Sequence, residues 1–294
     1  MTYFHLSLNK IIASFTLVFC LIASGKTLAN ETVLEVAKII EETYVLPEIA
    51  KKTALKLRSK VKAGDYKQLA NDTKELAKAL SKDMVEISND QHMFIEFLGS
   101  KEEQKKQEQG FEDWWMDRAP SVNFGVTKVE ILQGNIGYLK YTSFYPIEMA
   151  TPALQAAMTM LKNTNGLILD LRRNGGGEES TAGALMATFL PEASEHPFYI
   201  EYRNKKITEE LPKKLAWGRY DDAKKLVILV NDKSFSASEA VAFSLQEVGR
   251  ATIVGKKSIG GAHMLDFNMI SNGFSVGIPD RRPIGKNQGK TGKV

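Results

Sequence analysis

Residues 225–261 read KLVILVNDKSFSASEAVAFSLQEVGRATIVGKKSIGG. Leu226 to Val230 is an unbroken apolar run, partly β-branched, closed by Asn231 and Asp232. Such a run reads as a strand buried on both faces, the environment of a parallel sheet. From Ala237 the period changes. Ala237, Ala240, Val241, Ser244, Leu245 and Val248 recur at helical spacing, and Gly249 is placed to stop the helix. Ala251 to Val254 is apolar again, so the unit is strand, turn, helix, strand. Ser236 falls in the turn, one residue before the helix. Backbone N–H groups without an intrahelical partner and the positive end of the helix dipole lie beside its hydroxyl. A serine so placed is either an N-cap, its commoner role there, or a nucleophile whose alkoxide those groups favour.

Moving upstream, Leu167 to Leu171 reads as a second buried strand, followed by Arg172-Arg173-Asn174-Gly175-Gly176-Gly177 and a helix over 179–190. Three glycines between strand and helix permit positive φ and let backbone N–H groups approach a ligand. A phosphate cradle would need Lys and then Ser or Thr after the last glycine, and Glu178 and Glu179 stand there instead. Gly289-Lys290-Thr291 mimics the tail of that motif, but Ile284 occupies its first glycine position and no strand or helix surrounds it. Phe124–Leu132 and Asn135–Tyr141 flank a Gln133-Gly134-Asn135 turn as a hairpin, and Met149–Leu161 is an apolar-faced helix.

The first third of the chain is helical. Val33, Val36, Ala37, Ile39 and Ile40 share one face; Pro47 breaks the pattern; a second helix over 49–61 is stopped by Gly64. Asp72 or Thr73 caps a third helix that turns Leu76, Ala79, Leu80, Met84 and Ile87 inward. It ends at Ser88-Asn89-Asp90-Gln91-His92, and a short strand follows at Met93–Leu98. A histidine at such a junction is more often a surface or hydrogen-bonding residue than a catalyst. Residues 99–121 form a charged connector around KEEQKKQEQG. Its apolar residues Phe111, Trp114, Trp115 and Met116 would cover a cleft as a lid or pack on the helices.

These motifs resemble peptidase family S41, the carboxyl-terminal processing proteases and their relatives. The S-A-S-E group places the family's nucleophile on Ser236. DLRRNGGG is similar to its oxyanion segment, which implies amide donors from Gly176 (Gly175 or Gly177 being the other choices) and from Ala237. The processing proteases carry a lysine base 25 residues after the nucleophile. That position is Gly261 here, and neither Lys256 nor Lys257 is at the spot. Asp90-Gln91-His92 and Gly260-Gly261-Ala262-His263 instead resemble the branch of the interphotoreceptor retinoid-binding protein modules and the tricorn core protease, whose base is a histidine. That assigns the base to His92, with His263 as second candidate; a neutral imidazole has suitable affinity near pH 7 for the serine proton. The branch's late glutamate, in a W-E-G-x-G-like segment, has no match, since no acidic residue follows Asp280. Glu239 and Glu247 are the supporting acids in its place. The resemblance implies an α/β fold with α+β elements: an N-terminal helical bundle and then a ClpP/crotonase-like domain of βα units. The span from Leu98 to Phe124 leaves no room for the PDZ domain of the processing proteases.

The expected organisation is a leader over 1–29, a helical domain over 30–98, the connector over 99–121 and a catalytic α/β domain over 122–294, its C-terminal end incomplete. Lys10, the apolar run Ile11–Ala23 and Thr27-Leu28-Ala29 have the order of a secretory leader; the alternative is an uncleaved anchor, for which the run is short. Cys20, the single cysteine, lies inside it, so the remaining chain has no disulfide and no thiol nucleophile. Removing the leader takes away Lys10 and Lys26 and lowers the net charge from +4 to +2, which makes no case for nucleic acid. The histidines are scattered without ligand spacing, so neither a metal nor another cofactor is expected. Two functions follow: an exported, periplasmic or secreted serine peptidase acting on peptide or protein substrates, or a catalytically weak S41-like module binding apolar ligands such as retinoid or fatty acid, with Phe111, Trp114 and Trp115 lining the site.

Overall fold

A computed structural model describes residues 27–100, 103, 113–190, 198–203, 205–209, 211, 214–261 and 263–284. Most of the expected leader with Cys20, Phe111, most of the connector's charged run, and the basic residues 285–294 lie outside the described residues.

Three helices open the fold: α1 (Leu28–Thr43), α2 (Pro47–Ala63) and α3 (Thr73–Ser88). Their ends obey local chemistry. Thr27 caps α1 by accepting from Asn30 N–H, Pro47 takes the first position of α2, and Gly64 ends α2 at φ 85°. Asp72 caps α3 by accepting from Glu75 N–H. The fold takes up Leu28 and Ala29, the last residues of the expected leader, as the first turn of α1, and Ala29 is fully buried.

Among the described residues ten strands form two sheets: β1 (Phe94–Phe97), β2 (Val126–Leu132), β3 (Ile136–Tyr141), β4 (Gly166–Asp170), β5 (Phe198–Tyr202), β6 (Lys205–Glu209), β7 (Lys225–Val230), β8 (Ala251–Gly255), β9 (Met264–Met269) and β10 (Phe274–Ile284). One sheet has the order β2-β3-β4-β7-β8, antiparallel between β2 and β3 and parallel thereafter. Its helices are α4 (Ile147–Leu161), α5 (Glu179–Phe189) and α6 (Ala237–Glu247). Leu167, Leu169, Leu226, Ile228 and Val230 pack in its core with Leu185, Phe189, Val241 and Leu245 from α5 and α6. The apolar runs read as strands are therefore the central ones, as burial on both faces requires.

The second sheet pairs β10 with β1 and β5 along one side and with β9 along the other, with β6 beyond β5. The helical domain differs here from expectation. Its core is not self-contained: Ile270, Phe274, Val276 and Ile278 complete it alongside Val36, Ile40, Leu57, Leu76, Leu80 and Met84. Three short amphipathic helices expose too much apolar surface to close on themselves, and β10 covers it.

The connector also departs from the lid reading. Residues 113–118 are helical. Trp115 stacks on Tyr145 with ring centroids 4.7 Å apart, and Trp114 is 56% exposed.

Candidate active site

Neighbouring parallel strands β4 and β7 deliver two loops to the same end of the sheet, where α/β folds place their ligands. The loop after β4 holds the three glycines; the loop after β7 holds Ser236. Asn174, fully buried, pins them together. Its carbonyl accepts from Phe235 N–H at 3.0 Å and from the Ser238 hydroxyl at 2.9 Å. Its side-chain oxygen accepts from Gly176 N–H at 2.8 Å, and its amide nitrogen donates to Tyr141 O at 3.0 Å. The second serine of S-A-S-E is thereby structural, whereas Ser236 borders the cavity. Asn174 went unassigned in the sequence; its place before the glycines was the one available signal.

Ser236 sits at the N-cap of α6 with φ 57° and ψ −125°. A non-glycine residue held there costs about 1–3 kcal/mol and persists only where its surroundings impose it. Glu239 supplies that constraint. It is fully buried, and its carboxylate accepts from Ser236 N–H at 2.9 Å, Gly260 N–H at 2.6 Å and Gly261 N–H at 2.8 Å. Burial raises its pKa, against the pull of the Ser258 hydroxyl and those amides. Glu239 thus ties the serine turn to the loop before β9.

Two sequence-predicted roles change. Gly176 N–H is engaged by Asn174, so it is not the free amide of the glycine loop. Gly176 instead has to be glycine: its φ is 95°, and an added Cβ would lie 2.7 Å from Ser236 Cβ. Gly175 and Gly177 line the cavity with Ala237. Gly176 O and Glu178 N–H both face Phe144, and backbone alternation turns Gly177 N–H to the other side. Glu247 also does not reach the site. It is the last residue of α6, roughly 16 Å along the axis from Ser236 at about 1.5 Å per residue.

His92 and His263 both border the cavity with Ser236. His92, in the turn between α3 and β1, is 7% exposed and stacks on Phe235 at 4.2 Å. Burial pulls its pKa down to about 4, opposed by Asp90 and aided by His263. Its Nδ1 has no hydrogen-bond partner among the described residues. His263 approaches Asp90 instead, Nδ1 to Oδ2 at 2.7 Å. Lys256 and Lys257 are exposed, away from this chemistry. Asp170 holds Arg172 through two side-chain contacts at 2.7 and 2.9 Å and accepts from Tyr138, which fixes the loop after β4.

The cavity encloses about 1050 Å³. Ala182, Met186, Leu211, Leu215, Trp217 and Phe267 give it a largely apolar wall. Trp114 and Trp115 are not among its lining residues, and Phe111 lies outside the described residues. No group of side chains among the described residues is arranged to hold a metal ion.

The fold is similar to that of solved S41-type structures. Over 90% of this chain and 90% of the other, it is similar to the photosystem II D1 C-terminal processing protease, with TM-score 0.53 and 16% identity. A lipoprotein of Streptococcus agalactiae is similar over 90% of this chain and 88% of its own, with TM-score 0.52 and 16% identity. The chain belongs to peptidase family S41, whose model matches residues 135–291. The model for the N-terminal domain of S41 peptidases in eukaryotic IRBP matches residues 22–123. In sequence it is 33% identical over 135 residues to a carboxy-terminal-processing protease of Bartonella bacilliformis, covering 44% of this chain and 30% of that protein. It is 32% identical over 133 residues to CtpA of Bacillus subtilis, covering 45% and 27%. The matches therefore take in about three-tenths of those relatives' length. No PDZ domain occurs among the described residues, and no helix there is long and apolar enough to cross a membrane.

Proposed function

We propose that this S41 chain is a serine peptidase in which Ser236 is the nucleophile and His92 the general base. Ser236 Oγ attacks the scissile carbonyl carbon while its proton passes to His92. The negative oxygen of the tetrahedral adduct is held by the amides of Ala237 and Gly177. The C–N bond then breaks, the leaving amine takes the proton from His92, and water releases the acyl group by the same steps. The observation that carries this reading is the strained Ser236 at the head of α6, sharing one cavity with His92. Each amide donor contributes about 10²–10³ in rate at such a site. The apolar wall suits peptide substrates with apolar side chains.

A fluorophosphonate probe should label Ser236 in folded protein, and S236A should abolish both labelling and peptide hydrolysis. H92A should leave the fold intact and cut hydrolysis by about 10³-fold or more. Folded protein that remains unlabelled beside a reactive control would overturn the assignment. The same reading places the enzyme in an exported compartment, on the leader over 1–29. N-terminal sequencing of the cell-fractionated protein tests this; a cytoplasmic product beginning at Met1 would refute it.

A further inference from the structure

A buried carboxylate, Asp90, lies beside the proposed base. Asp90 is 3% exposed and is approached from three sides. On Oδ2 it accepts from the Tyr44 hydroxyl at 2.9 Å and meets His263 Nδ1 at 2.7 Å. On Oδ1 it accepts from His92 N–H at 2.9 Å. That last bond is an Asx-turn, and it explains the D-x-H spacing: the turn folds the carboxylate back beside the imidazole two residues on. His92 Nδ1 lies 3.8 Å from Asp90 Oδ1.

The protonation states follow from the surroundings. Burial pushes the Asp90 carboxyl up, but the His263 hydrogen bond and charge, with the His92 amide, more than offset it and leave the group below the usual range. An ionised carboxylate accepts only, so His263 carries its hydrogen on Nδ1. Two donors on Oδ2 fix the plane of the carboxylate and leave Oδ1 directed at His92. Asp90 and His263 are the charged groups that act on His92.

Resting on the peptidase reading above, we propose that Asp90 is the orienting carboxylate of His92, and that Tyr44 and His263 are positioning residues that hold Asp90 for it. When Ser236 gives its proton to His92 Nε2, the ring carries hydrogen on both nitrogens and a positive charge. Nδ1–H then closes on Asp90 Oδ1. The attraction is strongest while the ring is charged, so it stabilises the transition state more than the resting enzyme. When Nε2 returns its proton to the leaving amine, the pair relaxes. The acid thus comes from the same turn as the base, and His263 supports it from across the fold.

The test is kcat, KM and the rate of Ser236 labelling for D90N, H263A, H263Q and Y44F in the full chain. D90N should lower kcat by about 10³–10⁴ with little change in KM. H263A and Y44F should each lower it by about 10–100-fold, and H263Q, which still offers an N–H to Asp90, should recover most of that loss. D90N with near-normal kcat would overturn the proposal. So would H263A as inactive as S236A beside an active H92A, since His263 would then be the base. Unlabelled wild type would fault the peptidase reading itself, and imidazole nitrogen NMR then decides the inference without turnover. Removing the Asp90 charge should move the His92 titration to lower pH; an unchanged midpoint would refute the pairing.

Discussion

Gly261 sets how closely the two halves of the site approach. A Cβ there would lie 2.6 Å from His92 Cε1 and would collide with the Phe235 ring. G261A should therefore push the imidazole off Phe235, lower Ser236 labelling about tenfold or more, and destabilise the fold by about 1–3 kcal/mol; labelling kinetics and urea melts measure both. His92 makes a second prediction, from its pKa of about 4. The unfolded chain, with an ordinary histidine near 6.5, binds the proton more readily than the folded protein between pH 6.5 and 4. Stability is fully present above that window and falls as the pH drops through it, by about 3 kcal/mol from this residue. Denaturant unfolding of H92Q should show a shallower slope across the same range, and an unchanged slope would mean that His92 is not the group responsible.

At the scale of elements, α6 is held at its first turn. E239A removes the acceptor of three backbone N–H groups, so a loss of about 2–4 kcal/mol is expected. The loop over 258–263 should lose protection from amide hydrogen exchange before the sheet does. The strand-turn-helix-strand unit was legible because the apolar period changes abruptly at Ala237, and the observed β7, α6 and β8 follow that change within a residue or two. Less was legible inside the turn. The sequence offers two serines in S-A-S-E, and the Ser238 bond to Asn174 crosses 64 positions, invisible to any local pattern. Spacing also misled for Glu247: eleven residues after the serine is the far end of a helix. The pairing of Asp90 with His263 spans 173 positions, beyond the reach of any local pattern.

For the molecule as a whole, the division into a helical domain and a later α/β domain captures the order of elements but not the cores. Phe274, fully buried, packs with the first three helices although it stands almost at the end of the described chain. F274A should cost about 3–5 kcal/mol and lower Ser236 labelling, because His92 is carried on the region that Phe274 supports. A fragment ending at Leu98 should show little stable helix by circular dichroism, whereas the full chain should unfold its helices and sheets in one transition. A stably helical fragment would show instead that the bundle is self-sufficient.

β10 gives this arrangement a consequence in time. The imidazoles and the serine come from segments made early and late, and the strand that closes the core beneath His92 leaves the ribosome after all of them. On the proposed peptidase reading, a growing polypeptide therefore has no assembled site until β10 is in place. Competence would then arrive only with that strand, and the order of synthesis would act as a safety catch.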